Sequence, residues 1–244
     1  MIEVKDLRKY FLGNDGNKVW AVNGVTFQAK QGEILGLLGP NGAGKTTTLR
    51  ILCTLLKPSG GSARVAGFEV QTQAAQVRRH IGFLSSNTGI YDRMTPRELI
   101  LYYAKLHELG PHDAQQRVSN LIETLQMGDF ADIPGSRLST GQKQKTSVAR
   151  ALVHDPEVLI FDEPTLGLDV MVQRTVLQTI RELKDRGKCI ILSTHIFREV
   201  EKLCDRVVII HRGQVLANDT LDQLRLTNQE NDLEELFFKL VGTN

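Results

Sequence analysis

The rhythm of apolar and polar positions changes along the chain. In the first third, apolar residues come in short bursts between polar turns. Ile2, Val4 and Leu7 predict a first strand, Gly13 to Lys18 a polar turn, and Val25-Thr26-Phe27 the start of a second strand. Ile34-Leu35-Gly36-Leu37-Leu38 is a short apolar run entering a glycine-rich turn, and a helical pattern follows from Lys45 to about Leu56. Ser59-Gly60-Gly61-Ser62 signals a turn, and Ala63 to Ala66 a further strand.

From about Ser85 to Asp155 the period becomes helical. Thr95-Pro96-Arg97-Glu98 combines an N-cap residue, a proline suited to the first helical position and an acid at capping-box distance. Leu99, Tyr102, Tyr103 and Leu106 then recur at helical spacing. A second helix is predicted from Asp113 to Gln126, and a third begins at Ser139. Beyond Asp155, the apolar runs Val158 to Phe161 and Cys189 to Leu192 flank a helical stretch from about Val170 to Arg186. A third run, Val207 to Ile210, follows another helix. Short apolar strands alternating with helices predict a parallel sheet buried on both faces. The pattern therefore describes a βα core split by a helical insertion.

Composition adds mainly exclusions. With 41% hydrophobic and 24% charged residues over 244 positions, the chain is that of an ordinary globular protein rather than a disordered one. The longest unbroken apolar run, Leu99 to Ala104, falls far short of the ~20 residues that span a bilayer. Acids and bases interrupt Met1-Ile2-Glu3-Val4-Lys5-Asp6 at once, unlike a secretory signal. A net charge of +2 with no block of like charge argues against a dominant nucleic-acid surface, so no nucleic-acid partner is expected. Cys53, Cys189 and Cys204 are an odd number without a CxxC pair and read as small reduced hydrophobes. A soluble, cytosolic protein is the expectation.

Three segments carry chemistry. Gly39-Pro40-Asn41-Gly42-Ala43-Gly44-Lys45-Thr46-Thr47 fits G-x-x-x-x-G-K-[ST] and lies between a predicted strand and a predicted helix, the context that pattern requires. Its glycines let successive N–H groups turn inward onto phosphate oxygens, and the helix N-terminus adds partial positive charge. Lys45 would reach the β- and γ-phosphates, and the Thr46 hydroxyl would ligate Mg²⁺. The spacing is not the G-x-G-x-x-G of a dinucleotide site. The second segment, Val158-Leu159-Ile160-Phe161-Asp162-Glu163, is a buried strand ending in two carboxylates that leave in different directions. One can serve the Mg²⁺ shell while the other polarises a water against the γ-phosphate. In the third, Leu138-Ser139-Thr140-Gly141-Gln142, Ser139 reads locally as a helix N-cap followed by small residues.

The order of phosphate loop, LSTGQ, LIFDEPTLGLD and an isolated strand-end His195 resembles the nucleotide-binding subunit of an ATP-binding-cassette (ABC) transporter. The resemblance runs from the first strand to about Gly213, and is strongest to the ATPases of ABC-2-type exporters, including the sodium-efflux kind. It is carried there by Ile81-Gly82-Phe83-Leu84 through Leu99 and by the ending Leu233 to Gly242. It implies an α/β fold: a P-loop NTPase core, mostly parallel, with an N-terminal antiparallel β lobe and an inserted α-helical subdomain. On that reading residues 1–84 and 156–220 form the ATP-binding core, 85–155 the helical subdomain ending in the signature helix, and 221–244 a short helical tail.

The resemblance also implies roles. Ser139, Thr140, Gly141 and Gln142 would be the signature that contacts the γ-phosphate of ATP held by a second subunit. Leu166-Gly167-Leu168-Asp169 matches the loop crossing the dimer interface, and His195 the switch histidine at the γ-phosphate. Glu163 would orient or deprotonate the attacking water, beside Lys45 and Asp162-bound Mg²⁺. Phe11 aligns with the aromatic that stacks on adenine, with Tyr10 as the alternative. One departure is Ser86, where the family has a glutamine that touches Mg²⁺. Serine is shorter, leaving Asn87 or a bridging water as alternatives. The signature is also LSTGQ rather than LSGGQ, which adds bulk at a tight spot.

The implied protein is an ATPase working with ATP and Mg²⁺ at the cytoplasmic face of the membrane, through a separate integral membrane permease. It would pair with a second ATPase subunit, identical or different. The alternative is a soluble ABC-family ATPase acting on a ribosome or DNA. Ribosomal members usually carry two cassettes, and the DNA-acting kind needs a long coiled coil, for which the stretch between Lys45 and Asp162 shows no sustained heptad. A GTPase is opposed by the lack of Asn-Lys-x-Asp; Asn17-Lys18-Val19-Trp20 does not complete it.

Overall fold

The computed structural model describes residues 1–85 and 89–242. Two sheets and nine α-helices are built from the described residues. The N-terminal lobe begins with β1 (Ile2–Leu12) and β2 (Lys18–Ala29), an antiparallel pair joined at the polar turn. β2 starts well before Val25, because Phe11 and Leu12 find cross-strand partners in Val19 and Lys18. β3 (Ile34–Leu38) is buried at every position and leads through the glycine-rich turn into α1 (Lys45–Leu52). The helix stops short of Leu56 because Thr54 adopts a left-handed conformation (φ 61°) and the amides of Leu55 and Leu56 turn back onto the Arg50 carbonyl.

β4 (Gly60–Val65) takes the Gly-Gly-Ser turn signal into the strand itself, where Ser62 pairs with Lys5. Two elements the apolar pattern did not announce follow, β5 (Phe68–Glu69) and α2 (Ala74–His80), before β6 (Ile81–Ser85). The helical insertion contains α3 (Pro96–Leu106), α4 (Pro111–Thr124) and α5 (Thr140–Leu152). α3 carries the capping box expected from Thr95 and Glu98, with both reciprocal bonds formed. The core then resumes with β7 (Val158–Asp162), α6 (Val170–Asp185), β8 (Cys189–Thr194), α7 (Phe197–Leu203) and β9 (Arg206–His211). An unannounced antiparallel edge strand, β10 (Gln214–Thr220), precedes the tail helices α8 (Leu221–Asn228) and α9 (Leu233–Gly242).

The main sheet runs β10-β9-β3-β8-β7-β6, parallel except for β10, and the lobe sheet runs β2-β1-β4-β5. One face of the main sheet packs with α1 and the lobe sheet around Leu35, Leu37, Leu49 and Phe27. The other packs on α6 around Leu159, Phe161 and Ile180. The insertion has its own apolar cluster, with Ile100, Val118, Met127 and Phe130 among its members. α7, α8 and α9 close over β9 through Val200, Leu224, Leu236 and Phe237. β3, β8 and β7 are adjacent, and Leu38 pairs with Thr194 while Asp162 pairs with Ser193. Their carboxyl ends therefore open at one level, where parallel α/β sheets present their ligand sites.

Candidate nucleotide site at the carboxyl ends of the central strands

Gly39 follows β3 so closely that an added Cβ would lie 2.2 Å from the Ile210 carbonyl oxygen, and one on Gly44 would lie 2.3 Å from that of Ala21. Gly44 also sits at φ 104°, a conformation suited to glycine. The loop is thus pressed between β9 and β2. Bonds from Gly213 N to Ala43 O (2.9 Å) and from Asn23 N to Gly213 O (2.7 Å) tie the three segments together.

Lys45 opens α1 and is 4% exposed. Its ammonium donates to the Gly39 (2.6 Å) and Pro40 (3.1 Å) carbonyls and stands 3.6 Å from Glu163 Oε1. Burial pulls its pKa down, and the neighbouring Glu163 and Asp162 charges partly offset that effect. Thr46 Oγ1 donates to Asp162 Oδ1 (3.1 Å), and so does Ser193 Oγ (2.8 Å). Ser193 was not singled out from sequence. Its signal was its place at the end of the apolar run Cys189 to Leu192, two residues before His195.

Glu163 is held at φ 50°, uncommon for a residue with a side chain and costing of order 1–3 kcal/mol. Its amide donates to the Ser193 carbonyl (3.0 Å), which anchors the turn to the neighbouring strand end. This turn brings the carboxylate to His195, whose Nδ1 is 3.3 Å from Glu163 Oε1. The contact lacks hydrogen-bond geometry, and among the described residues Nδ1 has no hydrogen-bond partner. It becomes an ion pair when the ring is protonated. The structure therefore brings Lys45, Thr46, Asp162, Glu163 and His195 together.

Phe11 is 45% exposed with the Lys9 ammonium 5.3 Å from its ring centre. Tyr10 is more enclosed, packed edge-on against Trp20 (5.3 Å) with Lys18 4.5 Å above its ring. Phe11 is accordingly the more open face for a base, and Trp20 is the aromatic neighbour that sequence reading missed. Ser86 and Asn87 lie outside the described residues. The preceding Ser85 pairs with Asp162 across β6 and β7.

Ser139, Thr140, Gly141 and Gln142 form the N-terminus of α5. Ser139 Oγ accepts from Gln142 N (3.3 Å), and Gln142 Oε1 accepts from Ser139 N (2.8 Å), so Gln142 completes a capping box. Ser139 and Thr140 are exposed. A Cβ on Gly141 would come within 2.7 Å of Val172 Cγ2, at the start of α6. Asp169 caps that helix through Met171 N and Val172 N, beside the exposed apolar residues Leu166, Val170 and Met171. Near this N-terminus α5 is joined to the turn after Glu163, through Gln144 Nε2 to Pro164 O (2.7 Å).

The donor set around Asp162 is oxygen only: a carboxylate with two hydroxyls on it. Among the described residues no group of three or more His, Cys, Asp or Glu could hold a metal by itself. That chemistry fits Mg²⁺, which takes one or two protein oxygens and completes its shell with phosphate and water.

A P-loop beside two strand-end carboxylates, on a main sheet flanked by an antiparallel lobe and a helical insertion, defines an ATPase cassette. The family model described as ABC transporter matches residues 22–166. NatA, an ABC transporter ATP-binding protein of Bacillus subtilis strain 168, is 41% identical over 99% of this chain and 98% of its own length. The probable multidrug ABC transporter ATP-binding protein YbhF of Escherichia coli K12 is 31% identical over 99% of this chain, which spans 42% of that longer relative. A solved ATP-binding subunit of an ABC transporter superposes with TM-score 0.87 at 31% identity, covering 99% of both chains. The dimeric bacterial ABC transporter cassette MJ0796 superposes with TM-score 0.80 at 25% identity, over 90% of this chain and 98% of the other. The chain belongs to the ABC transporter family, as an ATP-binding subunit that hydrolyses ATP.

Proposed function

We propose that this ATPase powers export through a separate membrane permease, and that two cassettes close face to face around ATP. The observation that carries the reading is the convergence of Lys45, Thr46, Asp162, Glu163 and His195 at three neighbouring strand ends. Gly39, Pro40, Asn41, Gly42, Ala43, Gly44 and Thr47 would line the phosphates with Lys45, and Phe11 would stack on adenine. Thr46 and Asp162 would hold Mg²⁺, which when bound offsets charge on the phosphate oxygens. Glu163 would orient a water and accept its proton, while Lys45 and His195 balance charge on the γ-phosphoryl oxygens. Positioned proton transfer of this kind contributes roughly 10²- to 10⁴-fold in rate.

The exposed N-terminus of α5 supports a contact in trans. Gln142 N is committed to the capping box, while Thr140 and Gly141 offer first-turn amides to an anion. The exposed Leu166, Val170 and Met171 lie next to it in the chain fold and would be covered by the second cassette. The division into core (1–84, 156–220), helical subdomain (85–155) and tail (221–244) is part of the same proposal, as is attachment to the cytoplasmic membrane face through the permease. Among the described residues no helix is long and apolar enough to cross a membrane. Co-purification of the tagged chain with its membrane partner, followed by ATPase assay of the complex in vesicles, tests the reading. An integral membrane protein recovered stoichiometrically, with ATPase activity dependent on it, is the expected result. Recovery of ribosomes or DNA in its place would overturn it.

A further inference from the structure

A second buried carboxyl group lies behind the site, in no role assigned above. Glu199, in α7, is 5% exposed. Among the described residues no cation pairs with it. Its Oε1 accepts from Thr165 Oγ1 (2.5 Å) and its Oε2 from Thr194 Oγ1 (2.6 Å). Burying a carboxyl group is costly unless its oxygens are paired, and here each has a hydroxyl donor. Both partners are themselves buried, at 1% and 2% exposure.

The identity of the partners gives this cluster its meaning. Thr165 stands two residues after Glu163, in the turn that holds Glu163 at positive φ. Thr194 ends β8 and immediately precedes His195. Thr194 Oγ1 also accepts from Ile196 N (3.0 Å), so its proton is free for Glu199 and the chain on both sides of His195 is fixed. The Thr165 carbonyl is within reach of Gln173 Nε2 at 3.4 Å. One carboxyl group thus spans the two segments whose side chains meet at 3.3 Å as Glu163 and His195.

We infer that Glu199 is a positioning residue for ATP hydrolysis, setting the separation of Glu163 and His195 by clamping Thr165 and Thr194. The inference rests on the roles proposed for Glu163 and His195. Because Glu199, among the described residues, bonds to neither the phosphate loop nor Lys45, its loss should act on turnover more than on nucleotide capture.

The test compares Glu199→Ala, Thr165→Val and Thr194→Val with Thr165→Ser and Thr194→Ser, measuring kcat, ATP affinity and Tm for each. The clamp predicts that both valine variants lose tenfold or more in kcat while the dissociation constant for ATP stays within about twofold. Both serine variants, which keep the hydroxyl, should recover most of the turnover. Glu199→Ala should match the valine variants if it folds; the threonine set decides the matter if it does not. Valine variants with wild-type kcat, or with kcat and ATP affinity falling together alongside Tm, would overturn the inference. Glu163→Gln serves as the control: if it hydrolyses ATP normally, the proposed role of Glu163 has failed, whatever the clamp does.

Discussion

Gln144 Nε2 donates a 2.7 Å hydrogen bond to the carbonyl of Pro164, linking the helix that begins with the signature to the turn that begins with Glu163. Gln144 lies just beyond the first turn of α5, and Pro164 has no amide of its own to contribute to the turn. The bond therefore ties the start of α5 in the helical insertion to the turn that carries Glu163 within one subunit. Gln144→Ala should cost about 0.5–1.5 kcal/mol of stability, the usual worth of such a bond. It should also weaken the coupling between ATP-driven dimer closure and hydrolysis. The check is kcat measured beside ATP-dependent dimer formation. Normal closure with reduced kcat is expected; unchanged kcat would show that the link carries nothing.

Lys45 is the buried cation of the phosphate loop, and its ammonium satisfies two loop carbonyls. Lys45→Ala removes charge-assisted bonds worth about 1.5–3 kcal/mol, so ATP binding should weaken roughly ten- to a hundredfold. Equilibrium titration with labelled ATP at fixed Mg²⁺ reads this. An unchanged dissociation constant would reduce the loop to a structural turn.

Sequence showed the contiguous parts of the site most clearly. Gly39 to Thr47 and Asp162-Glu163 announce themselves because backbone geometry imposes glycine, and chemistry imposes the lysine and carboxylates, at fixed offsets. Ser193 and Glu199 were silent, since a serine or glutamate near a strand end has no distinctive spacing, and only the fold brings them to Asp162 and Thr165. Among the elements, α2 has no side-chain cap and buries only Val77, so no apolar period marks it. β10 is an edge strand without a fully buried residue, and Asn218-Asp219 hides its alternation. The bounds of β2 and β4 moved because cross-strand pairing with β1, a long-range effect, prevailed over local turn propensity.

A pH-dependent component of stability is expected from His154. Its ring stacks face to face on His107 at 3.6 Å, its Nε2 is 3.0 Å from the Ile81 carbonyl, and its buried Nδ1 has no hydrogen-bond partner among the described residues. Burial first, then the neighbouring His107, pushes its pKa down to about 4. The unfolded chain would protonate His154 near pH 6.5, so between that pH and about 4 the unfolded state binds more protons. Stability from the neutral ring is complete above pH 6.5 and drains away as pH falls towards 4, by up to ~3 kcal/mol. His154→Gln keeps an amide donor for Ile81 and removes the titration. Urea midpoints at pH 7 and pH 5 should converge for the variant relative to the wild type. An equal loss in both proteins would place the acid sensitivity elsewhere.

Glu163→Gln separates binding from chemistry. The amide keeps the size of the carboxylate but can neither accept a proton nor form an ion pair with protonated His195, 3.3 Å away. Hydrolysis should fall by roughly 10² or more. ATP affinity should stay near normal, because Lys45, Thr46 and Asp162 are retained and the contacts of Lys45 with Gly39 and Pro40 do not involve Glu163. Removing a negative charge from each of two facing sites should also ease closure around the anionic phosphates. The variant should accumulate as a dimer with ATP and Mg²⁺ and stay largely monomeric with ADP, as read by size-exclusion chromatography with light scattering. If it remains monomeric at saturating ATP while the wild type turns over, closure between identical subunits is the wrong arrangement, and pairing with a different ATPase subunit takes its place.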